Sequence, residues 1–246
     1  YGLNQAYLDV LKAADIGTIQ INDLPDQALA PFAILNHCPN LTPRNFSPET
    51  PKPTHWLLGL EWLLLRSPFP SLIANPPENG DGLFLCFGGT SSGGQLQKCL
   101  QWLQESEYSN PIRVICPDPA EAAFVTKRFS TLKIAAFAQQ ASHAMASLMR
   151  ASAVAVVPSS TLALEVLAAG VPLLTGITAQ NQSLLAQGLQ AFPGVEQLGA
   201  WDKVSAKDFL NALARLSHQS PPPPRSLPKP WQAFPNWLKT AYDPTA

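Results

Sequence analysis

Short apolar runs alternate with stretches of helical spacing along most of this chain. Residues 4–14 (NQAYLDVLKAA) place Tyr7, Leu8, Leu11 and Ala14 on one helical face, and Gly17 ends that helix. Thr18 to Ile21 reads as a short buried strand running into Asn22 and Asp23, and Phe32 to Asn36 as a second one. A Pro-rich loop then reaches Thr54. The run WLLGLEWLLL (56–65) is apolar apart from Glu61 and leads to Arg66 and Phe69. Pro76, Pro77 and the segment NGDG (79–82) break the pattern there.

From Leu83 the alternation becomes regular. Strands are predicted at 83–87, 112–116, 133–137, 153–157 and 171–175, the last of these (VPLLT) being the final regular strand. Between and after them, helices are predicted at 95–106, 120–129, 142–150 and 162–169, near Asn181, and at 205–217. Such alternation implies right-handed crossovers and a parallel sheet, so the fold class is α/β. The run PPPP (221–224) is a stiff extended spacer. Residues 231–242 read as a short terminal helix that docks Trp231, Phe234, Trp237 and Leu238 on the body. The expected organisation is residues 1–78, the remainder of one Rossmann-like domain; 79–218, a second such domain; and 219–246, spacer and terminal helix.

Composition narrows the function. Apolar residues make up 46% of the chain, charged ones 13%, and the net charge is −1, so no basic field matches nucleic acid or an anionic membrane surface. The longest apolar stretch, Ala151 to Leu174, is interrupted by Pro158, Ser159, Ser160, Thr161, Glu165 and Pro172, and does not read as a membrane span. Cys38, Cys86, Cys99 and Cys116 lack the close pairing of zinc ligands, which argues against a metal site and for reduced thiols in a cytoplasmic protein. No cofactor is expected.

Three loops carry candidate chemistry. Gly88-Gly89-Thr90 follows a buried strand, where glycines let the backbone approach a phosphate and a helix amino terminus supplies free N–H groups; a plain tight turn explains it equally. Ser159-Ser160-Thr161 stands at another strand-to-helix junction, with Glu165 placed on the first turn of the helix. Its hydroxyls can cap the helix or take a phosphate. Asn181 and Gln182 offer donor and acceptor amides suited to sugar hydroxyls, or simply begin a helix.

All three loops leave the same edge of one predicted sheet, in an order that resembles the carboxyl-terminal domain of GT-B nucleotide-sugar enzymes. The stretches INDL (21–24), ILNH (34–37), LLGLEWLLLRSPF (57–69), LCFGGTS (85–91), MASLMRASAVAVVPSSTLALEVLAAGVP (145–172) and TAQNQ (178–182) resemble one branch more narrowly. That branch is the hydrolases releasing UDP from UDP-2,4-diacetamido-2,4,6-trideoxy-β-L-altropyranose in pseudaminic acid biosynthesis, relatives of the UDP-GlcNAc transferase of peptidoglycan synthesis. The resemblance implies a GT-B-like pair of Rossmann-like domains, the first incomplete. By position it implies that Gly88, Gly89 and Thr90 line the cleft, that Ser160 and Thr161 take the diphosphate, and that Glu165 holds the ribose. Phe137 then flanks uracil, Asn181 with Gln182 faces the sugar, and Arg66 belongs to the cleft. Ser91 stands where the family usually has Asp.

The family's catalytic His lies in a glycine-rich G-x-G-H segment that has no match here and is expected upstream of Tyr1. Of the histidines present, His37 sits at a strand end and is the one substitute base; His55, His143 and His218 read as structural or solvated. The expected partner is a UDP-sugar and the expected activity its hydrolysis. A GT-B glycosyltransferase and a non-catalytic nucleotide-sugar-binding module are the alternatives.

Overall fold

A computed structural model describes residues 4–24, 29, 31–46, 53–73, 75, 77, 80–88, 94–217, 235–238 and 241. The contacts divide the chain into two units, Tyr1–Leu64 with Leu227–Ala246, and Leu65–Ser226.

The first unit holds helix α1 (Gln5–Ala13) and strands β1 (Ile19–Ile21), β2 (Ala33–Asn36) and β3 (His55–Leu58), which form a parallel sheet in that order. Asn4 caps α1 by accepting the Tyr7 N–H at 3.0 Å. The middle strand β2 is buried along its whole length, as the centre of a parallel sheet must be. Strand β3 corrects the sequence reading, which treated this stretch as an undifferentiated apolar run. Periodicity cannot tell a short buried strand from a helix segment, and pairing with β2 decides the matter. Residues 235–238 form a helical turn. Trp237 there packs against Phe32, His55 and Trp62 with ring centroids 5.5–6.2 Å apart. Trp231 and Phe234 lie outside the described residues.

The second unit is a six-stranded parallel sheet. Its strands are β4 (Leu83–Cys86), β5 (Ile112–Ile115), β6 (Ile134–Phe137), β7 (Val154–Pro158), β8 (Leu173–Ile177) and β9 (Val195–Ala200), in the spatial order β6-β5-β4-β7-β8-β9. Strand β9 also corrects the expectation that 171–175 is the last strand. VEQLGA has no period-2 alternation and is half-buried throughout, which suits an edge strand; Gly199 at φ +76° sits beside the register shift against β8. Likewise, the helix expected near Asn181 begins as a 3-10 turn (Gln180–Gln182) before α7 (Ser183–Leu189).

The remaining helices are α2 (Phe69–Leu72), α3 (Gln95–Glu105), α4 (Pro119–Arg128), α5 (Ser142–Arg150), α6 (Thr161–Ala169) and α8 (Ala206–Ser217). Helix α3 shows the ordinary logic, burying Leu96, Cys99, Leu100 and Leu103 on one face. Helix α6 is different, because every residue from Ala163 to Ala169 is buried. It lies against β7 and β8 on one side and α2 and α5 on the other. Gly170, left-handed at φ +76°, stops it.

Of the described residues that follow Leu64, those from 65 to 73 already belong to this second unit. Phe69 is fully buried, α2 packs on α6, and Arg150 Nη1 donates to the Asn75 carbonyl. Gly82 sets the start of the central strand at φ +61°, where an added Cβ meets the Pro111 carbonyl oxygen at 1.8 Å. Gly82→Ala is therefore expected to destabilise the second unit by about 2–3 kcal/mol through backbone strain and collision together, measured by urea unfolding followed by circular dichroism.

Candidate functional site

The order of the larger sheet is doubly wound. The chain runs outward from β4 to β6, then returns to β7 beside β4 and proceeds to β9. Loops at the carboxyl ends of β4 and β7 therefore diverge and leave a crevice between them, the place where open α/β sheets bind ligands. A pocket of about 250 Å³ occupies this position. Cys86 and Gly88 line it from the end of β4, and Ile115 with Cys116 from the end of β5. Gln139, Gln140 and Met145 close one side, while Arg66 and the first turns of α6 (Thr161, Leu162, Glu165) close the other.

The turn into α6 is held from beneath by a buried polar network. Thr175 Oγ1 donates to the Val157 carbonyl at 2.8 Å, so Ser159 Oγ, 3.1 Å away, donates to Thr175. Gln197 Nε2 then donates to Ser159 at 3.1 Å, and its Oε1 accepts the Gly199 N–H at 2.7 Å. This chain of bonds ties β7, β8 and β9 together and turns Ser159 inward. Ser160 is the N-cap, accepting the Leu162 N–H at 3.3 Å, and Thr161 is exposed at the helix start. The Leu162 N–H is taken by the cap and the Ala163 N–H donates to the Ser160 carbonyl at 2.9 Å, so the Thr161 N–H and the positive end of the α6 dipole are what the helix start brings to the pocket edge, an arrangement suited to an anion.

Glu165 is the fifth residue of α6, on its second turn rather than its first as the sequence reading had it. On a helix with no solvent face, an unpaired carboxylate is costly to bury. Arg66 meets it as a fork, Nε to Oε1 at 2.6 Å and Nη2 to Oε2 at 3.0 Å. The Glu165 side chain is 6% exposed and that of Arg66 50%. With one partner half exposed, losing Arg66 costs less than the ~3–5 kcal/mol of breaking a fully buried pair.

Of the sequence-predicted residues, the structure gathers Arg66, Gly88, Thr161 and Glu165 around this pocket. Ser160 stands next to it as the cap. Gly89 and Thr90 lie outside the described residues. Phe137 is half-buried at the end of β6 and does not line the pocket; Gln139 and Gln140, just beyond it, do. Asn181 and Gln182 are not among the lining residues either, and Gln182 Oε1 accepts from Thr178 N at 2.8 Å and Thr178 Oγ1 at 3.2 Å. His37 follows β2 in the first unit. Its Nδ1 is buried without a partner, and burial pushes its pKa down against the opposing pull of Asp23.

Sequence reasoning missed Cys86, Ile115, Cys116, Gln139, Gln140, Met145 and Leu162 as lining residues. The available signal was their place at strand and helix ends, which matters only once the strand order is known. A second pocket of about 240 Å³ in the first unit is lined partly by Thr18, Phe32 and Thr54, which immediately precede β1, β2 and β3. It therefore opens at the amino ends of those strands. Among the described residues, no group of three or more His, Cys, Asp or Glu is placed to hold a metal, and no helix is long and apolar enough to cross a membrane.

No protein-family model and no curated protein matches the sequence. Solved structures do. MurG from Acinetobacter baumannii matches with a TM-score of 0.62 at 12% identity, over 98% of this chain and 72% of that one. UGT89C1 from Arabidopsis thaliana matches with a TM-score of 0.52 in two forms. The form complexed with UDP-L-rhamnose is 16% identical over 95% of this chain and 64% of its own. The form complexed with quercetin is 15% identical over 95% and 63%. At these identities the likeness is one of fold: α/β with two parallel sheets, as in GT-B folds.

Burial pushes the Cys86 thiol up and the Cys116 thiol up to about 11 from an ordinary 9.0. Both are therefore protonated at neutral pH. Because the folded values are raised, the contribution of each to stability is present below pH 9 and is lost at higher pH, for Cys116 as pH rises from 9 towards 11. At pH 8, iodoacetamide is expected to modify these two cysteines at least ~10-fold more slowly in the native protein than in urea, read by peptide mass spectrometry.

Proposed function

We propose that the second unit binds the UDP moiety of a nucleotide sugar in the pocket between β4 and β7, and that the protein hydrolyses the bond joining sugar to UDP. The observation that carries this reading is the convergence of the Gly88 turn, the α6 amino terminus and the Gln139-Gln140 loop on one pocket at the switch point of the sheet. The narrower assignment, a UDP-2,4-diacetamido-2,4,6-trideoxy sugar of pseudaminic acid biosynthesis, rests on the sequence motifs around Arg66, Gly88, Ser160 and Asn181.

In this reading the diphosphate lies against the backbone after β4 (Gly88, Gly89 and Thr90) and the start of α6 (Ser160 and Thr161), where N–H donors and the helix dipole meet its charge. The side formed by Gln139, Gln140 and Met145, with Ile115 beneath, takes the flat face of uracil, beside the segment that begins at Phe137. Asn181 and Gln182, at the loop after β8, are assigned to the sugar end. Water adds to the anomeric carbon as the bond to the UDP oxygen breaks. The same donors stabilise the negative charge that develops on the departing diphosphate, so they act more strongly in the transition state than in the ground state. No metal is required in this scheme.

A transferase is the second reading. It is supported by the plant neighbour, which is solved with a UDP-sugar and with quercetin. The two readings separate on one assay: UDP release from the diacetamido UDP-sugar without any acceptor supports the hydrolase, whereas release only in the presence of an acceptor supports the transferase.

Calorimetry with UDP tests the pocket itself. Thr161→Glu places a carboxylate at the first position of α6, where the helix dipole tolerates it and a diphosphate does not. The variant is expected to keep the wild-type melting temperature and to lose at least ~10-fold in UDP affinity. Equal affinity in both proteins sinks the assignment of UDP to this pocket.

A further inference from the structure

The ion pair at the edge of the pocket departs from the role that sequence resemblance assigns to its carboxylate. We propose that Arg66 is the residue that grips the diphosphate and that Glu165 positions Arg66 rather than touching the ribose. This rests on the reading that the pocket takes a nucleoside diphosphate.

Accessibility comes first. A carboxylate that accepts two ribose hydroxyls must present its oxygens to the ligand, yet the Glu165 side chain is 6% exposed. Both oxygens are already engaged, Oε1 by Arg66 Nε at 2.6 Å and Oε2 by Nη2 at 3.0 Å. Its partner is the accessible member of the pair, at 50%. The fork uses Nε and Nη2 and leaves Nη1 with both hydrogens, and a guanidinium with an unused edge is shaped to bind phosphate oxygens.

The surroundings point the same way. Arg66 is the sole Lys or Arg among the described residues lining the pocket. Its Cζ lies 5.9 Å from the centre of the Phe69 ring, and Phe69 is fully buried, so the guanidinium is held by a rigid ring as well as by the carboxylate. Glu165 is anchored in turn on a helix whose residues 163–169 are all buried. A flexible cation is thereby fixed at one place beside the α6 amino terminus, with its ordering cost met before ligand arrives.

The alternatives separate when UDP is divided into its two halves. Binding of UDP, uridine and inorganic pyrophosphate is measured by calorimetry for the wild type, Glu165→Gln, Arg66→Lys and the double variant Arg66→Gln/Glu165→Gln. The double variant leaves no unpaired buried charge, so it is expected to fold, with circular dichroism as the check. Arg66→Lys keeps the charge but loses the fork.

Arg66→Lys and the double variant are each expected to weaken UDP and pyrophosphate by at least ~10-fold. Uridine binding is expected to stay within ~2-fold of wild type in every variant, Glu165→Gln included. Weakened uridine binding in Glu165→Gln would show that the carboxylate touches the ribose, and unchanged pyrophosphate binding in the double variant would show that Arg66 does not grip the diphosphate; either result overturns the proposal. A wild-type protein that binds pyrophosphate through Arg66 but not UDP would instead overturn the nucleotide reading and leave the anion site standing.

Discussion

A carboxylate on a helix with no solvent face must be paired, and in this protein that requirement organises the pocket. Helix α6 is covered on both sides from Ala163 to Ala169, by the sheet and by α2 with α5, so Glu165 is buried except where it borders the pocket. Its counter-charge comes from Arg66, a residue 99 positions away that no local periodicity connects to it. The short stretch carrying Arg66 and Phe69 is held to the second unit by the same pairing and by the burial of Phe69. Charge satisfaction and packing thus act on adjacent residues, and together they put a fixed guanidinium at the mouth of the crevice.

The crevice itself follows from topology. A parallel sheet that winds outward and then returns must part its loops where the direction reverses, and here that point lies between β4 and β7. The turn into α6 is kept in place by Ser159, Thr175 and Gln197, three polar side chains that satisfy one another below the surface. A satisfied network of this kind rigidifies the turn above it. The pocket consequently has two characters. Its lining offers the Thr161 hydroxyl and a guanidinium as well as the apolar side chains of Ile115, Met145 and Leu162. A ligand with an anionic part and a flat apolar part fits that division.

Much of this was legible in the order of residues. The strands β4 to β8 and the helices α3 to α6 and α8 are readable because each is a short apolar run or an amphipathic stretch bounded by Gly, Pro or a capping residue such as Asp118, whose carboxylate accepts the Glu121 N–H. The parallel α/β class followed from their alternation. Gly88, Thr161 and Glu165 were each singled out by residue type at or just beyond a strand-to-helix junction, and Arg66 by the resemblance alone. Strands β3 and β9 were not legible, since one carries no period and the other is an edge whose residues are all half-buried.

What the sequence by itself determined is what depends on near neighbours along the chain: where elements start and stop, which faces are apolar, and which loops carry polar groups. Only the tertiary structure decided the strand order, and with it which loop ends share a pocket. It drew in Cys86, Cys116 and Met145 and left Asn181 and Gln182 out of the lining. It also decided that Glu165 faces an arginine. Such pairings depend on the register of strands and the burial of helices brought together across long loops, and residue spacing along the chain does not encode that proximity.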